Sequence, residues 1–430
     1  MFLKSYMRAG AGEKMQYLAH EFNDNTIRYA LRYPGQLRAD VLERAVERVV
    51  GSVDVLHASF LAGRATAVWH VNDQVTPGDY FALIQTDHPA EAAVQASLEA
   101  LRPDGRAQLH CTLAQSESEA VLVLRVSHLC VDGGDGRYLL EKICEAYNLI
   151  LQSGHADDLQ VKNGSRAAEQ MYEHLNSREV RTLLKSPMTG VKTLYPFRDA
   201  GEGERRVTCC SLDREETQRI RRRAKAFGAS FNDVLLAACY QVLAHMEGVD
   251  PQQPISVMSM MDLRRYCPHG ESQGLCNMAG SMPTVLREGV PERFEDTLAL
   301  VCAQTRRFRE SPLAGMEGLP LLHGAARTLP LSLLLRVAGR IYAHMSVGVT
   351  NLGNIACAPL RLGDILPTEG LFGGPLKKKP NMQISVASFD GWCMLCVAGE
   401  YTDGDAAQLH ETLESIKQTM IRFSQTEENT

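Results

Sequence analysis

The 430-residue chain lacks an excess of positive charge: its formal net charge is −6 and its pI about 6.1, so nothing draws it globally to a phosphate backbone. No nucleic-acid partner is expected. Long apolar runs are missing too. The most lipid-like stretch, Leu329 to Met345, is broken by Arg336 and Arg340 and falls short of the ~20 apolar residues that a membrane span needs. The opening MFLKSYMRAGAGEKMQ has no apolar core of the kind a secretory signal carries, and the twelve cysteines are scattered, a usage expected of reduced thiols and a cytoplasmic location. One CxxC, Cys393 and Cys396, falls in WCMLCVAG, which reads as a strand that would point the two thiols to opposite faces. With no second CxxC and no nearby HxxxH, no metal site is expected. Ser127 adjoins His128 on a predicted strand and faces away from it, which argues against Ser127 as a nucleophile activated by that histidine. In DGGDG, Asp132 and Asp135 are three apart and no closing Glu follows in register, which excludes an EF-hand calcium loop.

What is present is a composition fit for a large core, 45% hydrophobic and 22% charged, over a length that suggests two folding units. Leu42, Ala45, Val46 and Val49 recur at helical spacing before Gly51, which predicts an amphipathic helix and its stop. DVLHASF, TAVWHV and YFALIQ read as short β-rich runs, and AVLVLRVSHL as the clearest strand of the first half. Arg137 to Leu151 returns to helical spacing. From about His155 to Glu204 the chain is polar and punctuated by Asn-Gly and Pro, with one plausible helix. The expected division is therefore a first lobe over 1–165, a connector over 166–204 and a second lobe over 205–430.

The second lobe opens on VTCCSL, a predicted strand. Asp213 with Glu216, and Ser230 with Asp233, predict capping boxes at the start of two helices, the first running to Phe227 and the second carrying NDVLLAA. Further strands are predicted at PISVMSMM, CNMAGSMPTVL, HMSVGVTNL, MQISVASF and CMLCVAG. Helices are predicted at FEDTLALVCAQTRRF and DGDAAQLHETLESIKQTMI, and SQTEENT reads as a frayed end. Both halves mix strand and helix, so the fold class is α+β.

The segment with most chemical content is Ser127-His128-Leu129-Cys130-Val131-Asp132-Gly133-Gly134. A histidine at a strand end is held rigidly yet can be reached, and its unperturbed pKa of about 6.5 suits it to take a proton near neutral pH. The acid four residues on can either serve the site or cap the helix that follows.

SHLCVDGG resembles the HHxxxDG motif of nonribosomal peptide synthetase condensation domains and the HxxxD of related acyltransferases. DVLHASF resembles a first-lobe stretch of that family, SFNDVLLAA its NDVLLAA helix, MMDLRRYCP its DLR strand end, and VTNLGNI its SNLG segment. These matches keep the family order and span the chain from Val41 to Ile355. The resemblance implies two lobes, each similar to a chloramphenicol acetyltransferase subunit, that meet in a V around a central tunnel.

By the same resemblance His128 is the general base that deprotonates an alcohol or amine as it attacks a thioester. No permanently bound cofactor is implied. The thioester is a co-substrate on coenzyme A or on the phosphopantetheine of a separate carrier protein. Asp132 is implied to be structural, paired with Arg264 of DLRR, and Gly133 to let the backbone turn and the substrate approach. Asn351 of TNLG is the side-chain candidate for an oxyanion donor, with the backbone N–H groups of Gly133 and Gly134 as alternatives. Lys377, Lys378 and Lys379 form either a solvated loop or a contact for phosphates of the donor; Arg221 to Arg223 and Arg306, Arg307 and Arg309 carry the same ambiguity. Leu319 to Ile341 can be core or the lining of a lipid-sized channel.

Two departures matter. The first histidine of the double-histidine motif is Ser127, and DFGWG has no counterpart, which sets the chain apart from standard peptide-bond-forming domains and from plant-type acyltransferases. A catalytically silent module that binds a carrier protein or acyl ligand is the competing reading.

Overall fold

The structure, a computed structural model, describes residues 5–186, 191–342 and 347–425. Its first lobe is organised by strand Glu119–Ser127. Leu122, Leu124 and Val126 face a core shared with helices Ala39–Val50 and Gly133–Ser153, while Val121 and Val123 pack with Ala93 of helix Pro89–Leu98. A strand covered on both faces is expected to read as a nearly continuous apolar run, as AVLVLRV does. It is the middle strand of a five-stranded mixed sheet in the order Glu369–Gly373, Thr26–Pro34, Glu119–Ser127, Leu109–Gln115, Phe81–Gln85. Only the last pair is parallel. The helix predicted to stop at Gly51 does so, and DVLHASF divides into a 3-10 turn, Asp54–His57, and a strand, Ala58–Ala62.

The second lobe is built on a seven-stranded mixed sheet. Ala279–Leu286, Ile255–Asp262, Val347–Ile355, Gln383–Phe389 and Trp392–Tyr401 follow one another in space, and the last also pairs with Glu204–Leu212 and Lys377–Lys378. Helices Arg214–Phe227, Phe231–Ala244, Phe294–Glu310 and Asp403–Gln425 supply the other side of its core. Both predicted capping boxes form. Asp213 accepts the Glu216 N–H at 2.8 Å and Ser230 Oγ the Asp233 N–H at 3.1 Å, each answered by the N3 carboxylate.

Space divides differently from sequence. Within the range assigned to the second lobe, strand Glu369–Gly373 pairs with Thr26–Pro34 and buries Phe372 in the first core. Helices Leu319–Thr328 and Leu331–Tyr342 do the same with Ala326, Leu331, Leu334 and Ala338, leaving Leu321, Leu333 and Val337 exposed. The range 205–430 is therefore not one contiguous lobe; it lends an edge strand and two helices to the first, because their apolar faces complete that core. Cys393 and Cys396 lie on strand Trp392–Tyr401, as WCMLCVAG suggested. Residues 344–346 of the predicted HMSVGVTNL strand and 426–430 of the predicted frayed end lie outside the described residues. Among the described residues no single helix is long and apolar enough to cross a membrane.

Candidate active site

Strand Glu119–Ser127 ends at the junction of the lobes. The His128 N–H donates to the Asn25 carbonyl at 2.9 Å, Cys130 N–H closes a turn on the Ser127 carbonyl at 3.0 Å, and helix Gly133–Ser153 starts with Asp132 as its cap. Space at Gly133 is tight: a Cβ there would lie 3.1 Å from Leu352 Cδ1 and 3.3 Å from Phe372 Cζ, so both side chains would have to give by a few tenths of an ångström. Ser127 is buried, and its hydroxyl accepts the Leu129 N–H at 3.4 Å.

Asp132 is saturated with donors. Its Oδ1 accepts the Gly134 and Asp135 N–H groups at 2.9 and 3.1 Å, and its Oδ2 accepts Arg264 Nη1 at 2.7 Å and the Met278 N–H at 2.8 Å. Capping and ion pairing, alternatives in the sequence, are performed by the same carboxylate. Arg264 in turn reaches Asp135 at 2.9 Å, Asp262 at 3.2 Å, the Cys276 carbonyl at 3.0 Å and Ser272 Oγ at 3.3 Å. Asp135 also accepts the Cys276 N–H at 2.9 Å and lies 3.4 Å from Lys162 Nζ. Burial by itself would raise the Asp132 carboxyl, but Arg264 and the backbone donors outweigh it and hold the group below the usual carboxylate range. For Asp135, burial and the charge of Asp132 win, and its carboxyl is raised. The knot joins the lobes, since the aspartates belong to the first sheet's helix and Arg264, Cys276 and Met278 to segments flanking the second sheet.

The His128 ring lies against Asn277, whose Nδ2 is 2.8 Å from Nδ1. Asn277 Oδ1 accepts the Ala279 N–H at 3.0 Å, which turns the NH2 group toward the imidazole. In the neutral ring the amide therefore donates to Nδ1 and the proton sits on Nε2. Burial lowers the pKa of His128; the Asp132 carboxylate opposes that, while the charge of Lys377 adds to it. The imidazole is thus kept neutral at neutral pH.

A cleft of about 400 Å³ opens beside this turn, lined by Asp132, Gly133, Met260, Asp262, Asn351 and Leu352 among others. Asn351 is in it, but its Oδ1 accepts the Gly353 N–H at 2.8 Å and its Nδ2 faces Asn232 Oδ1 at 3.4 Å. The Gly134 N–H is taken by Asp132; that of Gly133 has no acceptor among the described residues. The lysine run is divided. Lys378 Nζ is 3.8 Å from Glu400 and Lys379 Nζ 2.7 Å from Asp405, so the phosphate contact expected of Lys379 is pre-empted by a carboxylate. Lys377 is half-buried and has no carboxylate in ion-pairing reach among the described residues. Asn277 and Asp135 were not legible as site residues: the first is one amide within a strand-like run, and the second matters only because residues 276–278 dock on it.

The family profile described as the condensation domain matches residues 13–280, and the chain belongs to the condensation-domain family. Solved structures agree on the two-lobed α+β fold. Polyketide synthase associated protein 5 from Mycobacterium tuberculosis superposes with a TM-score of 0.70 at 16% identity, over 98% of this chain and 99% of that one. The first condensation domain of the calcium-dependent antibiotic synthetase gives 0.69 at 18% identity over 98% of both chains. A trichothecene 15-O-acetyltransferase from Fusarium sporotrichioides gives 0.69 at 12%, over 97% and 95%. No curated protein matches the sequence significantly.

Proposed function

We propose that the protein is an acyltransferase that moves an acyl group from a thioester, on coenzyme A or on a carrier-protein phosphopantetheine, to an alcohol or amine. The observation that carries this reading is the state of His128: a neutral imidazole, oriented by Asn277, on a turn locked by the Asp132–Arg264 pair. A thioester is already activated, so the protein has to position the partners, take one proton and stabilise an oxyanion. An acceptor hydroxyl or amine that gives its proton to the ring takes the place of the Asn277 amide at Nδ1. The new bond forms from the acceptor oxygen or nitrogen to the acyl carbon, the tetrahedral oxyanion collapses, and the thiolate leaves with the proton returned by the imidazolium. The Gly133 N–H, without an acceptor among the described residues, is the donor assigned to the oxyanion; the Asn351 amide would first have to leave Asn232. The twelve unpaired cysteines suit a reducing, cytoplasmic setting.

The test is release of free thiol from a panel of acyl-CoAs and acyl-carrier proteins, with and without small alcohols and amines, alongside product mass. Acceptor-dependent thiol release with a matching ester or amide is the expected result. Donor binding without thiol release from any pair would instead establish the silent module.

A further inference from the structure

Lys377 opens the two-residue strand Lys377–Lys378, which runs parallel to Gly399 and Glu400. The residue before it, Leu376, exchanges backbone hydrogen bonds of 3.1 and 2.9 Å with Asp24, and the next residue, Asn25, accepts the His128 N–H at 2.9 Å. One short stretch of backbone therefore braces both Lys377 and His128. The two following lysines are matched to Glu400 and Asp405. Lys377, only partly accessible, has neither a carboxylate nor a hydrogen-bond acceptor among the described residues. Burial brings its ammonium down to about 8, so most molecules still carry the charge at neutral pH, close enough to depress the pKa of the imidazole.

A half-buried charge without a carboxylate partner is costly, and it is offset best by an anion that arrives with the ligand. A donor phosphate does not fit. When the thioester is at His128, the whole pantetheine arm separates the phosphate from the reacting carbon. We propose that Lys377 is an anion-binding residue beside His128, and that the acyl donor or the acceptor carries a carboxylate close to the atoms that react. This deepens the acyl-transfer reading and rests on it for the word react; the carboxylate site itself does not need turnover.

The test begins without catalysis. Succinate, 3-hydroxybutyrate and L-serine are titrated against the full chain beside their uncharged amides, in wild type, Lys377→Met and Lys377→Arg, with the His128 ring followed by NMR. At least one acid is expected to bind ten-fold or more tighter than its amide. Lys377→Met should abolish that preference and raise the pKa of the ring, and Lys377→Arg should keep part of the preference. Equal binding of acids and amides by wild type, or a ring pKa that ignores Lys377→Met, would overturn the proposal even if a variant folded poorly.

Turnover then identifies the source. Succinyl-CoA against butyryl-CoA asks whether the donor carries the acid, and L-serine against serinamide whether the acceptor does. Acid-selective binding with no turnover of any pair would sink the acyl-transfer reading and leave the anion site standing. Turnover indifferent to charge, with no acid-selective binding, would do the reverse.

Discussion

Arg264 and Lys377 both approach the His128 turn from second-lobe segments, and the protein treats them in opposite ways. Arg264 is met by three carboxylates, a carbonyl and a hydroxyl, and both sides of its pair with Asp132 are buried. Lys377 is met by none of these among the described residues. A guanidinium presents a rigid fork of donors that suits fixed carboxylates, whereas an ammonium on a flexible stem is better suited to a partner that comes and goes. The difference separates a group that builds the site from one poised to read what enters it.

The largest effect expected from breaking this contrast is on folding. Arg264→Met leaves Asp132 buried without its cation and Asp135 with only Lys162, and should cost about 3–5 kcal/mol in urea unfolding, since removing one partner of a buried pair strands the other. Asp132→Ala, which also removes the helix cap, should fall in the same range.

Asn277→Ala comes next. The amide orients the ring before the acceptor displaces it, so loss of this one hydrogen bond, worth about 1 kcal/mol, should lower kcat/KM roughly five-fold. Because a donor at Nδ1 disfavours protonation, the acid limb of the pH–rate profile should also move up in pH; a purely structural role would leave that limb in place.

The smallest effect is on stability in Lys377→Met. The folded ammonium titrates near 8, below its ordinary value, so between about 8 and 10 the unfolded chain binds more protons and stability rises with pH. Below that window the charged lysine is a liability. Replacing it should leave the thermal midpoint at pH 7 unchanged or higher, measured by calorimetry, while the acid limb of activity shifts to higher pH because His128 loses a neighbouring positive charge.

The parts of this arrangement that were legible in sequence are the local ones. A strand buried on both faces announces itself as a continuous apolar run, and the caps at Asp213 and Ser230 need only residues three apart. The Asp132–Arg264 contact followed from a resemblance carried by two short motifs, SHLCVDGG and MMDLRR. What escaped depends on distant pieces meeting. Strand Thr26–Pro34 carries Arg28, buried against Asp24 at 2.6 Å, and so breaks the apolar pattern that a central strand usually shows. Glu369–Gly373 has five residues, two of them glycine, and becomes a strand because the first sheet offers it an edge. Asn277 acquires a role only where its strand passes His128, and Lys377 was hidden in a run whose other two members face carboxylates.

In the proposed mechanism the His128 imidazole takes the proton of the acceptor. The most direct measurement is acceptor-dependent thiol release by wild type and by His128→Ala on the best donor–acceptor pair, with circular dichroism and the thermal midpoint compared for the two proteins. The expected result is a folded variant whose rate is down about 10²–10⁴-fold. A folded variant that transfers the acyl group at the wild-type rate would contradict it.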